Sequence, residues 1–272
     1  MITFIPAGGL GNRMKSMAAA IKLAQTTQND LDIIWFQDWG LGCKFCELFL
    51  PLQVPNVKLR EANWFDKLTR DIPRRRNLYI PKLFEQWQYD ACLDRLAVSK
   101  AYYNEFDFIP WSKGKNVWLA SDVYFISKEI PDDSFDIYHP IKKLQDRIDQ
   151  TKSSFGERTV GVHIRRTDNI RSIQNSPTSL FIDRMRKEPT TSRFYLATDS
   201  EEVKEELKGI FGNRIITSPN KAMRGNLEGM EDAVVELYLL AATQLILGSS
   251  YSTYSMTAAA IGRTPLEMIV KK

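Results

Sequence analysis

The sequence predicts an α/β protein made of two Rossmann-like domains, each built on a parallel sheet. Short apolar stretches of strand length alternate with helix-length segments along most of the 272 residues, and this alternation favours parallel strands joined by crossover helices. It occurs in two blocks that flank a proline-rich stretch. A hydrophobic content of 43% supplies a sizeable core and excludes a disordered or fibrous chain. We predict domains at 1–138 and 139–272, because Pro140 opens a new helix near the boundary.

The first domain begins with a strand, a glycine loop, a helix and a second strand. Apolar runs predict strands at 2–6 and 31–36, and an Ala-rich stretch predicts a helix at 12–26. From 40 to 136 prolines interrupt the regular pattern. We therefore expect short helices and loops there, around one strand at 117–120.

The second domain alternates more regularly. Helical patterns are expected after Pro177 and at 141–153, 200–211, 231–242 and 251–261. Apolar runs predict strands at 159–164, 194–197, 214–217, 244–247 and 265–269. The carboxyl ends of these strands should meet along one edge of a parallel sheet, where such folds bind ligands.

Charge and cysteine content narrow the possible partners. The net charge of +4, from 37 basic and 33 acidic residues, fits an anionic small molecule or a weak membrane-surface preference and is too small to indicate nucleic acid binding. The basic run 74–76 is interpreted as a solvated loop, with contact to an anionic lipid or an acceptor as the alternative. Cys43 and Cys46 have the spacing of half a zinc site or of a redox pair, but no second pair exists, so we interpret them as two buried or half-buried thiols. No apolar run approaches the roughly 20 residues of a membrane span. We expect a cytoplasmic protein, at most peripheral at the inner face of a membrane.

Polar clusters follow three strands of the second domain. The first holds His163, Arg165, Arg166 and Asp168, the second holds Asp199, and the third is the turn Gly248-Ser249-Ser250 ahead of a helix. An arginine can hold a phosphate through two parallel bonds, and the first N–H groups of a helix also favour phosphate oxygens. Together these groups predict an anion clamp that needs no metal.

Each of these residues taken alone has a simpler interpretation. Arg166 and Asp168 can be a surface ion pair, His163 a hydrogen-bonded core residue, and Ser249 or Ser250 a helix cap. Asp199 precedes the start of a helix and can equally serve as a cap. The combination at one sheet edge favours ligand binding.

At these positions the sequence resembles the superfamily of α1,2-, α1,6- and protein O-fucosyltransferases. The similar segments are His163-Ile164-Arg165-Arg166-Thr167-Asp168, Ala197-Thr198-Asp199 and Gly248-Ser249-Ser250. The segment Gly8-Gly9-Leu10-Gly11-Asn12-Arg13-Met14 resembles the glycine loop of the α1,2 branch, in which Gln is common at the position of Arg13. Glu236-Leu237-Tyr238-Leu239-Leu240 also resembles that branch. The resemblance leaves about 40–140 unmatched.

The resemblance implies a GT-B fold and an inverting, metal-independent transfer of a sugar from a GDP-sugar, most often GDP-fucose, to a glycan hydroxyl. It places Arg165 on the β-phosphate, with Arg166 and His163 close by. It places Glu236 on guanine, although a position near a helix start would equally suit an exposed residue. It places Asn12, within the loop that contains Gly9 and Gly11, near the sugar or the β-phosphate.

The catalytic base is not matched. The α1,6 branch has a Glu shortly after its HxRRxD motif, and the corresponding segment 170–173 has no carboxylate. We predict Asp38, at the end of the second strand, because an adjacent arginine makes Asp168 a weak base. No metal cofactor is expected, since the Asp-x-Asp triplet at 30–32 precedes its strand.

Two other functions remain open. Gly9-Leu10-Gly11 with Asp38 partly matches a dinucleotide fingerprint and would suit an NAD(P)-dependent oxidoreductase, but Met14 occupies the third glycine position. The second is a non-catalytic protein that binds a nucleotide-sugar or glycan.

Overall fold

The computed structural model describes residues 1–38, 40–131, 133–167, 169–221, 223 and 225–271, except the side chain of Arg76. Asp168, a predicted donor-site residue, lies outside the described residues. The chain divides into two compact units, Met1–His139 and Pro140–Lys272. No helix in the described ranges has the length and apolarity that crossing a membrane requires.

The first unit is built on a five-stranded parallel sheet with the order β3-β2-β1-β5-β4. Its strands are β1 (Ile2–Pro6), β2 (Leu31–Trp35), β3 (Val57–Glu61), β4 (Ala91–Leu93) and β5 (Val117–Ser121). Its helices are α1 (Leu10–Thr27), α2 (Trp64–Thr69), α3 (Ile80–Gln88), α4 (Arg95–Tyr103) and α5 (Phe108–Ser112). β1 and β5 are buried along their whole length, as their central positions require.

The second unit is built on another five-stranded parallel sheet, with the order β10-β9-β6-β7-β8. Its strands are β6 (Thr159–Ile164), β7 (Arg193–Thr198), β8 (Ile215–Thr217), β9 (Leu245–Ser249) and β10 (Leu266–Ile269). Its helices are α6 (Lys142–Lys152), α7 (Ile170–Asn175), α8 (Thr178–Met185), α9 (Glu201–Phe211), α10 (Leu227–Ala241) and α11 (Thr253–Gly262). Three strands therefore end side by side at the centre of this sheet: β9, β6 and β7.

The elements expected in the second unit are confirmed, but one boundary was wrong. α10 begins at Leu227 and not at 231. The side chain of Asn226 accepts a hydrogen bond from the Gly229 N–H at 3.0 Å and caps the helix one turn earlier. Glu236 consequently lies well inside α10 and not near its start.

In the first unit, β3 and β4 were missed. β3 lies at the sheet edge and is only partly buried, and β4 has three residues, so neither produces a clear apolar run. The strand at β5 is confirmed.

Gly248 in β9 allows α11 to lie directly on the sheet. A Cβ at this position would lie 2.7 Å from Ser255 Oγ and 3.0 Å from Leu266 Cδ1. We expect Gly248→Ala to lower the free energy of unfolding by about 1–3 kcal/mol, because both neighbours must move. Urea unfolding measures this change.

Gly209→Ala is the matched control. Gly209 lies in α9, and a Cβ there meets nothing within 4 Å. Because alanine favours the helix, this substitution should raise the free energy of unfolding by about 0.5–1 kcal/mol. Equal effects of the two substitutions would contradict the packing argument.

Candidate functional site

Asp199 connects the carboxyl ends of β6 and β7. One carboxylate oxygen accepts the Arg166 N–H at 2.7 Å, and the other accepts the Thr167 hydroxyl at 2.7 Å and lies 2.8 Å from Arg165 Nη1. Burial alone would raise the pKa of Asp199, but the charge of Arg165 and these hydrogen bonds outweigh it and lower the pKa. Asp199 is therefore an anion at neutral pH and fixes the loop that carries both arginines.

Ser249 connects β9 to the same loop. Its hydroxyl donates to the His163 carbonyl at 3.1 Å and accepts the Arg165 N–H at 3.1 Å. The side chain is fully buried. The structure thus brings Arg165 together with Asp199 and Ser249, which the sequence had assigned to three separate strand ends.

Arg166 is directed into the protein. Its guanidinium donates to the Arg165 carbonyl at 2.7 Å, to the Ser176 carbonyl at 2.8 Å and to Thr178 Oγ1 at 3.0 Å. These contacts shape the loop between β6 and α8. The Arg165 guanidinium instead forms an ion pair with Asp199, and 15% of the Arg165 side chain is exposed.

The turn after β9 leads to the open start of α11. The Ser250 N–H donates to Ser176 Oγ at 2.9 Å, and the Ser176 hydroxyl donates to Ser250 Oγ at 2.9 Å. Ser252 is the N-cap residue of α11 and makes no side-chain capping bond. Ser252 thus leaves the first N–H groups of this helix uncapped, next to the loop in which the Arg165 N–H donates to Ser249.

His163 is buried at the end of β6, 6% exposed, with its ring centroid 5.1 Å from that of Tyr254. Burial and the neighbouring arginine charges lower its pKa to about 4, so the ring is neutral at pH 7. Among the described residues its Nδ1 has no hydrogen-bond partner.

Glu236 is half-buried within α10. Burial raises its pKa to about 8, and Asp232 and Asp199 add to the shift against the opposing charge of Lys204. The carboxyl is therefore mostly protonated at neutral pH in the absence of a ligand.

The first unit carries the glycine loop between β1 and α1. Gly8 adopts a left-handed conformation with φ +80°, and a Cβ there would lie 3.0 Å from Asn12 Nδ2. Gly9 is the N-cap residue of α1 and Gly11 is buried in its first turn. The Oδ1 atom of Asn12 is buried without a hydrogen-bond partner among the described residues.

Arg13 holds this loop against the end of β2. Its fully buried guanidinium donates to the Gly8 carbonyl at 2.9 Å and the Phe36 carbonyl at 2.5 Å, and its Nη2 lies 3.0 Å from Asp38 Oδ1. Asp38 Oδ1 also accepts the Gly40 N–H at 2.8 Å. The side chain of Asp38 is 18% exposed. Sequence reasoning noted Arg13 only as a departure and missed its role in placing Asp38.

A pocket of about 520 Å³ lies between α3 and α4 in the first unit. Its wall includes Tyr79, Tyr89, Asp94 and the buried Glu85. Burial, with the nearby Asp94 charge, raises the pKa of Glu85 to about 8. Sequence reasoning missed Glu85, because a Glu in a short helix usually faces solvent.

No group of three or more His, Cys, Asp or Glu in the described ranges is placed to ligate a metal ion. Cys43, Cys46 and Cys92 form no disulfide. Cys43 is buried as expected, but Cys46 is exposed, so the expectation of burial was wrong for Cys46.

Sequence comparison finds no match to a protein-family model and none to a curated protein. Comparison with solved structures finds fucosyltransferases. The NodZ α-1,6-fucosyltransferase co-crystallised with GDP is similar with a TM-score of 0.67 and 19% identity, over 94% of this chain and 91% of that chain. A structure of NodZ from Bradyrhizobium is similar with a TM-score of 0.67 and 20% identity, over 94% of this chain and 92% of that chain.

Two further structures extend the likeness. Arabidopsis thaliana FUT1 in complex with GDP has a TM-score of 0.60 and 15% identity, over 100% of this chain and 70% of that chain. POFUT1 in complex with GDP has a TM-score of 0.58 and 13% identity, over 98% of each chain. At these identities the likeness establishes the fold, so the resemblance predicted from the strand-end motifs is confirmed at that level. The chain has the two-sheet α/β fold of these fucosyltransferases.

Proposed function

We propose that the chain is an inverting, metal-independent glycosyltransferase that moves a sugar, L-fucose, from GDP-fucose to a hydroxyl of a glycan. One observation carries the proposal: Arg165, oriented by Asp199, stands at the sheet edge beside the open start of α11. The fold supports it, because the similar NodZ and POFUT1 structures contain GDP, and one NodZ crystal was soaked with GDP-fucose.

The diphosphate is assigned to Arg165 and the start of α11. A guanidinium and free helix N–H groups supply positive charge where the leaving GDP gains negative charge, which is the work that a metal ion performs in other transferases. His163, neutral with an unpaired Nδ1, can add one hydrogen bond to the ligand. Arg166 supports this site by shaping the loop, and Ser249 and Ser250 hold the turn.

Guanine is assigned to Glu236. An ionised carboxylate there would accept from the guanine N1–H and N2–H groups. A protonated carboxyl cannot accept both, so guanine binding and ionisation of Glu236 are coupled.

Asp38 is assigned as the base that takes the proton of the acceptor hydroxyl. An adjacent arginine no longer distinguishes Asp38 from Asp168, because Arg13 Nη2 lies 3.0 Å from Asp38 Oδ1. Arg13 and the Gly40 N–H both contact Oδ1, so the base must act through Oδ2. Asn12 is assigned to the sugar or the β-phosphate, since its unpaired Oδ1 could accept from a sugar hydroxyl and its Nδ2 could donate to a phosphate oxygen, with Gly9 and Gly11 shaping the loop. We also propose a cytoplasmic location and a glycan acceptor, which rest on the resemblance.

The oxidoreductase alternative gains no support. Met14, at the third glycine position of the fingerprint, is 1% exposed in the core. The non-catalytic alternative is tested by turnover, below.

Arg165→Ala tests the diphosphate clamp. We expect GDP affinity, measured by calorimetry in EDTA, to fall by about 30-fold or more, because a charge-assisted contact is removed. The loop should persist, since Asp199 still accepts from Arg166 and Thr167. Arg186→Ala, which removes an arginine that is 62% exposed on the same unit, is the control and should bind GDP normally. Stabilisation of the chain by NAD or UDP, with no response to GDP, would contradict the proposal.

Glu236 should make GDP affinity depend on pH. Below its pKa of about 8 the free carboxyl is protonated, so binding must release a proton, and affinity should rise about tenfold per pH unit from pH 6.5 toward 8 and then level off. Glu236→Gln should lose this rise, and the titration of GDP itself is common to both proteins. An equal slope in the two would place guanine elsewhere.

Asp38→Asn should lower transfer at least 100-fold while GDP affinity stays within about twofold, because the amide cannot take a proton. Transfer is measured as GDP release from GDP-fucose with a pool of oligosaccharide acceptors. Asp32→Asn is the control: Asp32 lies in β2, is 22% exposed and pairs with Arg60. GDP-fucose binding without turnover on any acceptor or water would instead establish a non-catalytic binding protein.

A further inference from the structure

The apolar side of α3 faces solvent. Ile80, Leu83 and Trp87 lie at helical spacing on one face, and Leu83 and Trp87 are 71% and 82% exposed. The side turned into the protein carries Pro81 and the carboxyl of Glu85, which is 5% exposed. An amphipathic helix at a protein surface normally has the opposite orientation. The inverted orientation means that core packing does not account for the apolar face.

α2 extends this apolar surface. The rings of Trp64, Phe65, Phe84 and Trp87 form a continuous row, with successive centroids 5.6–5.8 Å apart. Trp64 is 76% exposed. Together with exposed neighbours this row forms what we call the apolar patch, whose members are Trp64, Phe65, Leu68, Leu78, Ile80, Leu83, Phe84 and Trp87.

The chain concentrates its exposed apolar side chains here. Of the twenty large hydrophobic residues that the described chain exposes, eight lie between Trp64 and Trp87. Leu78 and Tyr79 immediately precede α3, both with left-handed backbone at φ 51° and 55°. Such a conformation is costly for residues with a Cβ and is retained where surrounding structure or function demands it. Here it precedes the helix that presents the patch.

Around the apolar patch, basic side chains are exposed while most acidic side chains are buried. In segment 62–90 three described basic residues, Lys67, Arg75 and Lys82, are exposed, and two more, Arg70 and Arg74, are partly buried. The acidic residues Asp66, Asp71 and Glu85 are all buried, at 0%, 5% and 5% exposure, which leaves Asp90 as the exposed acid of this described segment. Asp66 and Asp71 are also paired with arginines. The exposed surface of this segment therefore combines apolar and cationic groups.

We propose that the apolar patch and its basic rim dock the protein on the surface of an anionic lipid bilayer. Tryptophan and leucine side chains favour the boundary between headgroups and acyl chains, and lysine and arginine favour the negative surface potential. One ligand, an anionic bilayer, satisfies both chemistries. The docking surface consists of α2 and α3, shares no residue with the set assigned to GDP, and does not rest on the proposed function.

The test is flotation of the intact protein with vesicles, either of pure phosphatidylcholine or of equal parts phosphatidylcholine and phosphatidylglycerol. We expect binding to the anionic vesicles that weakens as NaCl is raised, and little binding to phosphatidylcholine alone. Lys67→Gln with Lys82→Gln should weaken binding by about 25-fold at low salt, from the loss of two charges near the surface. Leu83→Ser with Trp87→Ser should abolish it.

Leu96→Ser with Tyr103→Ser is the matched control. These two α4 side chains are 71% and 74% exposed and lie outside the apolar patch. The control should bind vesicles like the unmodified protein, and thermal unfolding verifies that each variant is folded. A lipid-induced blue shift of tryptophan emission should be absent from Trp64→Phe with Trp87→Phe.

Two outcomes overturn the proposal. One is the absence of binding to anionic vesicles at low salt. The other is self-association of the unmodified protein in sedimentation velocity, abolished by Leu83→Ser with Trp87→Ser, together with no binding to vesicles. That result would make the apolar patch an interface between copies of the chain.

Discussion

The second unit depends on one buried carboxylate that connects two strand ends. Asp199 follows β7, yet its oxygens accept the Arg166 N–H and the Thr167 hydroxyl beyond β6 and pair with Arg165. Because four donors converge on Asp199, the fourth being the Thr167 N–H, its carboxylate stays ionised despite its burial. These contacts fix the conformation of the loop after β6. They also direct its two arginines differently: Arg166 into the protein and Arg165 toward the sheet edge.

The first unit also fixes a loop with a buried charged side chain, but there the charge is positive. There the central group is the buried cation of Arg13, which contacts the carbonyls of Gly8 and Phe36 and the carboxylate of Asp38. Its guanidinium also lies over the Trp35 ring, 4.8 Å from the centroid. In both units a buried charged side chain fixes the loop that follows a strand, so the candidate ligand groups stand on rigid supports.

Burial of carboxylates serves a different purpose around α3. Asp66 pairs with Arg60 and Arg70, and Glu85 is turned inward with a raised pKa. Removing these charges from solvent leaves a surface of apolar and basic side chains. The small net charge of +4 conceals this local sorting, because composition does not record which charges are buried.

The sequence by itself determined the fold class, most elements of the second unit and the residues that gather at its sheet edge. It did so because strand and helix periodicities are local, and parallel strands place their carboxyl ends together. Tertiary structure alone decided what these groups contact: the different partners of Arg165 and Arg166, the partial burial of Glu236, and the ion pair of Arg13 with Asp38. It also decided the inverted orientation of α3, since an apolar stripe specifies that a face exists but not which side the rest of the chain will cover.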